Sequence, residues 1–417
     1  LIGEPGVGKS RLAVEFLQSA GVATTRTLRA ACLSYTTRAP YYLFQELLKS
    51  WAGVAPSDTP DVVRAELQGA LGSLDADLGE WEPYLQVLLA PGDEAAAEAL
   101  ANLDPQTRQR LTDRAIVETL HAIAGSGSVV VACDDLHWID EASERVLGRL
   151  VDGVTDVPLL VLAIYRQEFD PKWPESSWTR LRLEALPDDH TRALVSALLG
   201  GAELPEAFVE LVGSKSSGNP YFVEEVLRSF VDSGALTRVG GEWRLDEDAD
   251  AADVPDALQA VIMGRLDSTP EECRRIMQIA SVIGHEFGSD MLGELGWGLS
   301  EAAASLEYLR SLGMLTETQP VPEQRHAFRQ EFVREVSYET LLLSARRELH
   351  GQVADATEQL QGRGASPALL LDHSVKAQRW ANGVQYALRS AAEARDVYAN
   401  RAAAAYYDQA LELMDRV

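Results

Sequence analysis

The sequence predicts an α/β core, a parallel sheet with helices on both faces, followed by a helical lid, a winged-helix-like module and α-helical repeats. Three observations lead there. Residues 3–10, "GEPGVGKS", read G-x-x-x-x-G-K-S, the pattern of a loop that cradles phosphate where a helix begins. Two apolar runs, "SVVVACDD" and "VPLLVLAIYR", each end in charge and alternate with helical patterns, as strands buried on both faces do. From about residue 351 onward the chain reads as helix throughout, rich in Ala, Tyr and Leu.

Taken in order, "SRLAVEFLQSA" places apolar residues at helical spacing directly after the loop, so this helix would turn its N-terminus toward the phosphates. "TRTLRAACL" reads as a strand, and Pro40 to about Gly125 as mostly helix. "SVVVACDDLHWIDEAS" is a buried strand passing into a helix, with Asp140 as its N-cap and Glu141 in its first turn. Asp188 to Gly234 is helical, and "LTRVGGEWRL" is a hairpin about Gly240 and Gly241. Acidic "DEDADAAD" reads as a solvated linker. Residues 255–350 combine helices with a strand pair near "MLTETQPVPEQRHAF", as a winged helix would. "RWANGVQYALRSAAEA" and "NRAAAAYYDQALEL" are two loosely similar helical units of a tetratricopeptide-type array. The expected domains are therefore residues 1–185 for the core, 186–250 for the lid, 251–350 for the winged-helix-like part and 351–417 for the repeats. The start without Met, with only Leu1 and Ile2 before the loop, makes a truncated first strand the expectation, and the short array a truncated end.

Composition bounds the function. With 417 residues, 46% hydrophobic and 24% charged, the chain has the profile of a soluble globular protein of roughly two to four domains. Asp and Glu total 64 against 37 Lys and Arg, a formal net charge of -27, which repels a nucleic-acid backbone, so nucleic-acid binding is not expected in this stretch. Cys32, Cys133 and Cys273 stand far apart in apolar or helical surroundings, which suits buried thiols in a reducing compartment and favours the cytoplasm. No apolar run is long enough to span a bilayer, and no signal peptide is legible at the N-terminus.

The candidate chemistry has a physical logic. Gly3, Gly6 and Gly8 admit backbone conformations closed to other residues, so successive N–H groups can face phosphate oxygens. Lys9 adds a mobile positive charge, and the Ser10 hydroxyl can ligate Mg²⁺. Asp134, ending a buried strand, would bring a carboxylate to the Mg²⁺ shell, and Asp135 beside it could orient or deprotonate water; as an alternative, the pair caps the next helix. Arg166 follows the next strand, where ligands collect in open α/β sheets, and would sense a γ-phosphate or else form a surface ion pair. His137 and Trp138 read as packing groups of the same loop.

"GEPGVGKSRL", "CDDLHWIDEAS", "AIYRQEF", "GNPYFVEEVLRSFVDSGAL", "VPDALQAVIMGRLDSTPEE" and "ASVIGHEF", in this order, resemble the AAA-type ATPase module of the STAND class, the signal-transducing ATPases with numerous domains. The nearest resemblance is to modules beside class III nucleotide cyclase domains, as in soluble adenylyl cyclases, or in large LuxR-type regulators. The resemblance covers nearly the whole chain and implies a P-loop NTPase core that binds ATP or ADP with Mg²⁺. By position it assigns Gly3, Glu4, Pro5, Gly6, Val7, Gly8, Lys9, Ser10 and Arg11 to the nucleotide, Ser10 and Asp134 to the metal, Asp135 to hydrolysis and Arg166 to sensing. It also assigns Pro220 of "GNPYF" to the adenine; read locally, Asn219 and Pro220 are an N-cap and first-turn proline. "FRQEFVREV" departs from the family, with Gln330 where a histidine usually stands, so this position cannot carry a positive charge.

The implied function is a slow ATPase switch that regulates a linked output domain, a cyclase or a transcriptional one. Protein partners would meet the C-terminal helices, and ligand-induced oligomers belong to the same expectation. A nucleotide-stabilised interaction scaffold and an ATP-dependent DNA-binding regulator are the alternatives.

Overall fold

The computed structural model describes residues 1–19, 22, 24–55, 58–74, 76–152, 157–173, 178–201, 205–232, 234–239, 242–245, 258–319, 324–361 and 365–417. These form two compact units: the first holds Leu1–Ile2, Lys9–Arg182 and Thr357–Val417, the second Gly3–Gly8 and Leu183–Ala356.

In the first unit the order is α1 (Lys9–Gln18), β1 (Arg26–Ala31), α2 (Tyr42–Ala52), α3 (Pro60–Gly72), α4 (Glu82–Leu89), α5 (Glu94–Ala99), α6 (Pro105–Gly125), β2 (Val129–Asp134), α7 (Glu141–Asp152) and β3 (Leu159–Ala163). The three strands run parallel in the order β1-β2-β3, and β2 pairs on both edges, from Arg26↔Val129 to Ala31↔Asp134 and from Val129↔Leu159 to Cys133↔Ala163. Val129 to Cys133 are all buried, which is why this segment reads as an unbroken apolar run. On β1 only Leu28 is buried, and its arginines Arg26 and Arg29 face outward, as an edge strand requires. Leu17 of α1 packs against Val130, Ala132 and Leu162 on one face of the sheet.

Leu1 and Ile2 also belong to this sheet. The Leu1 nitrogen donates to Ala163 O at 2.6 Å, Tyr165 N donates to Leu1 O at 3.1 Å, and Ile2 N donates to Leu181 O at 2.9 Å. Ile2 forms parallel bridges to Tyr165 and to Arg182. Leu1 and Ile2 thus take a sheet position bonded on both sides.

All three cysteines are free and buried. Burial pushes the Cys133 thiol up to about 12 and raises that of Cys32 further, with neighbouring carboxylates adding to both. At neutral pH these two remain protonated packing groups.

The first unit closes with α17 (Pro367–Lys376), α18 (Trp380–Asp396) and α19 (Asn400–Met414). Each turn between them carries a non-glycine residue in the left-handed region, Gln378 at φ 59° and Tyr398 at φ 57°. These helices are held to the core by the Arg108 guanidinium, 3.7 Å over the Tyr398 ring, and by Arg38, which donates to Gln409 Oε1 at 2.8 Å. The expected separate repeat segment therefore groups with the α/β core.

The second unit contains α8 (Asp188–Leu198), α9 (Glu206–Ser216), α10 (Pro220–Asp232), β4 (Leu236–Val239), β5 (Glu242–Leu245), α11 (Leu258–Ser268), α12 (Glu271–Ile283), β6 (Glu286–Gly288), α13 (Ser289–Glu294), α14 (Leu299–Ser311), β7 (Leu315–Gln319), β8 (Arg325–Phe328), α15 (Glu331–Glu339) and most of α16 (Leu343–Gln361). Val195, Phe208, Val212, Val223, Val226 and Phe230 form the core of its first part, against which Leu236 of β4 packs. β4 and β5 pair antiparallel from Leu236↔Leu245 to Val239↔Glu242; the expected turn at Gly240–Gly241 and the acidic linker at 246–253 lie outside the described residues. The second part builds a core from Ile276, Met277, Phe287, Leu309, Phe328 and Val333 beneath a three-stranded antiparallel sheet of order β6-β8-β7. Gln330 sits at the N-cap of α15 and makes no side-chain cap hydrogen bond.

Candidate functional site

In the second unit, Gly6 and Gly8 adopt φ of 81° and 95°, which only glycine enters at little cost. A Cβ on Gly6 would stand 2.7 Å from Asn219 Oδ1. Gly3 has no such dihedral; the need there is space, since a Cβ would come within 2.6 Å of Leu183 O. The loop is held from α10. Asn219 donates from Nδ2 to Pro5 O at 2.9 Å, and Tyr221 N donates to Gly6 O at 3.3 Å. Val7 is buried, whereas Glu4 and Pro5 are exposed. Pro220 is the first residue of α10, and Asn219 Oδ1 accepts from Tyr221 N at 3.1 Å and Phe222 N at 3.3 Å, the N-cap geometry read from the sequence.

In the first unit, α1 starts at Lys9, and Ser10 Oγ donates to Asp134 Oδ2 at 2.9 Å across 124 residues of sequence. Asp134 Oδ1 accepts the Asp135 N–H at 2.9 Å, which fixes the carboxylate's plane. Asp135 then turns the chain with φ 53° and ψ 38°, a left-handed conformation that Asp and Asn tolerate best among residues with a side chain. Its side chain is 41% exposed, with His137 Nδ1 at 3.8 Å. The His137 ring lies 4.3 Å from that of Trp138, and the Arg166 guanidinium sits 5.6 Å over the Trp138 ring. Arg166 thus stacks on an aromatic in the loop that follows the two aspartates. Arg11 is exposed and ion-paired with Glu15 one helical turn on.

Behind the aspartates lies a buried polar network. Asp140 caps α7, accepting from Ser143 N at 2.9 Å, and also accepts from Tyr41 N at 2.9 Å. Complete burial pushes its carboxyl up to about 6 against the opposing pull of these hydrogen bonds. Asp113 on α6 accepts from Tyr41 Oη at 2.8 Å and pairs with Arg145 at 2.8 Å and Arg149 at 2.9 Å, both on α7.

The sequence placed Lys9, Ser10, Asp134, Asp135 and Arg166 correctly relative to strands and helices, and the fold brings Ser10 to Asp134. It offered no sign of the Asn219 contact with the loop, because the two lie 214 residues apart. The Asp113 network was equally hidden, since a lone acid in a helix carries no pairing signal.

Residues 1–162 match the family of the AAA ATPase domain. An uncharacterised protein of Rhizobium meliloti (strain 1021) is 27% identical over 385 residues, which covers 90% of this chain and 36% of that protein. The chain thus spans about a third of that relative's length. A signal transduction ATPase with numerous domains (STAND) with a tetratricopeptide repeat sensor, from Pyrococcus horikoshii, has the same fold with a TM-score of 0.51 at 12% identity, over 99% of this chain and 55% of that one. Residues 1–162 are thus similar to the AAA ATPase domain, and the chain shares its fold with that signal transduction ATPase. Among the described residues no helix is long and apolar enough to cross a membrane.

Proposed function

We propose that this chain is a nucleotide-dependent switch: a slow ATPase that converts ATP and water to ADP and phosphate and passes the difference between the two states to a linked output domain. The observation that carries the reading is the hydrogen bond from the Ser10 hydroxyl to the Asp134 carboxylate at 2.9 Å. It joins the residue after the phosphate-loop lysine to an acid ending a central parallel strand, the pair that P-loop ATPases use around magnesium.

The donor set fits Mg²⁺. Both groups are hard oxygens, and among the described residues no group of three or more His, Cys, Asp or Glu is arranged to hold a metal ion by itself. Mg²⁺ takes one or two protein oxygens and completes its shell with water and substrate phosphate, so a larger protein cage is not needed. When bound, it neutralises charge on the β- and γ-phosphates. The loop's N–H groups, with Glu4, Pro5, Val7 and Arg11 in the same segment, follow the phosphate chain, and Lys9 adds its ammonium charge. Asp135 accepts a proton from the attacking water, Arg166 responds to the γ-phosphate, and Pro220 packs on the adenine. The C-terminal helices meet protein partners and bias the switch. A nucleotide-held scaffold is the competing reading; it binds ATP but does not turn it over.

Lys9→Ala should weaken ATP affinity at least about tenfold, since it removes a charge-assisted contact to phosphate, without shifting the thermal midpoint. Calorimetric titration of both proteins checks this, and equal affinities would remove the nucleotide assignment.

A further inference from the structure

We propose that Asn219 is a positioning residue for the phosphate loop: one side chain holds the Pro5 carbonyl and caps the helix that the winged-helix part holds by ion pairs. The inference rests on the nucleotide reading above and adds to it the residue that sets the loop's shape.

The two ends of the amide do different work. Its oxygen accepts from Tyr221 N at 3.1 Å and Phe222 N at 3.3 Å and so caps α10, while its nitrogen donates to Pro5 O at 2.9 Å. The next carbonyl, Gly6 O, accepts from Tyr221 N at 3.3 Å. Two successive loop carbonyls are therefore turned toward α10. In a trans peptide the N–H points opposite the C=O, so the N–H groups of Gly6 and Val7 are directed away from α10. The Val7 N–H makes a long 3.5 Å turn contact with Glu4 O. A stretch with two positive-φ glycines has many conformations of similar energy. Fixing its carbonyls removes that entropy cost before phosphate arrives.

The same helix is fixed further along. Glu224 accepts from Arg228 at 3.0 Å and pairs with Arg329 at 2.8 Å, and Glu225 forms a buried ion pair with Arg265. Arg228 also donates to Leu312 O, and Arg265 reaches the same carbonyl at 2.8 Å. Leu312 caps the C-terminal end of α14, where cations are favoured. Within ten residues of Asn219, then, α10 is tied to α11, to the end of α14 and to the residue after β8. The loop's carbonyls ride on a helix that cannot shift without that module.

The test uses the whole chain and two substitutions that keep the cap. Asn219→Asp retains the oxygen for Tyr221 and Phe222 but sets an acceptor against Pro5 O; Asn219→Ser also caps, adds no charge and is too short to reach the loop. Both should raise the ATP dissociation constant and the hydrolysis KM about tenfold, with kcat within about twofold and an unchanged thermal midpoint. Wild-type affinity in both would overturn the proposal, leaving Asn219 as a cap alone; so would a fall in midpoint large enough to account for the lost binding. Absence of ATP binding by the wild type, or equal binding by Lys9→Ala, would instead sink the nucleotide reading itself.

Discussion

Replacing Asp135 by asparagine should lower ATP hydrolysis about a hundredfold or more while ATP still binds. The substitution keeps shape and polarity and removes only the basicity of the carboxylate. It is also conservative in backbone terms: at φ 53° asparagine is tolerated as well as aspartate, whereas alanine would add strain. Asp134 retains its hydrogen bond from the backbone N–H of residue 135, so the metal-side carboxylate is not disturbed. The side chain is 41% exposed, open enough for a water to reach it. Basal turnover is expected to be slow, because a switch must dwell in each state. Phosphate release at saturating ATP, with Lys9→Ala as the control for contaminating activity, decides the matter, and a wild-type rate would refute the role.

The largest effect on stability should come from Asp113→Ala. Asp113 is 1% exposed and serves three partners, the Tyr41 hydroxyl and the Arg145 and Arg149 guanidinium groups. Deleting it leaves a buried hydroxyl without its acceptor and two cations without their counter-charge. Breaking a buried pair by removing one member typically costs about 3–5 kcal/mol. Arg145 and Arg149 are 29% and 46% exposed and can recover some hydration, so the lower end, about 3 kcal/mol, applies. That is roughly a hundredfold in the folding equilibrium. Urea unfolding would report it; a change below about 0.5 kcal/mol would mean that solvent already compensates this network.

Much of the core was legible because its signals are local. The apolar run at 129–133 is continuous because those residues are buried from both faces of the sheet. The loop glycines, Lys9 and Ser10 announce themselves by spacing, and Asp140 and Asn219 were readable as caps because capping is a contact within three residues. What stayed hidden depends on long-range packing. The strand at Glu286–Gly288 is three residues long and exists only because β8 pairs with it. Gly3 was read as a conformational need and turned out to be a spatial one, set by Leu183 O. The C-terminal helices read as a separate segment, yet Arg108 on the Tyr398 ring and Arg38 on Gln409 join them to the core through residues far away in sequence, 371 positions in the second case.

The central claim is that Ser10 and Asp134 form the metal side of an ATP site, and its most direct test is the Mg²⁺ dependence of ATP affinity in the whole chain. The wild type should bind ATP at least about tenfold more tightly with Mg²⁺ than with a chelator present, and Asp134→Asn should lose most of that difference because a neutral amide attracts the cation less than a carboxylate does. An Asp134→Asn variant that keeps the full Mg²⁺ enhancement, or a wild type whose ATP affinity ignores Mg²⁺, would contradict the account.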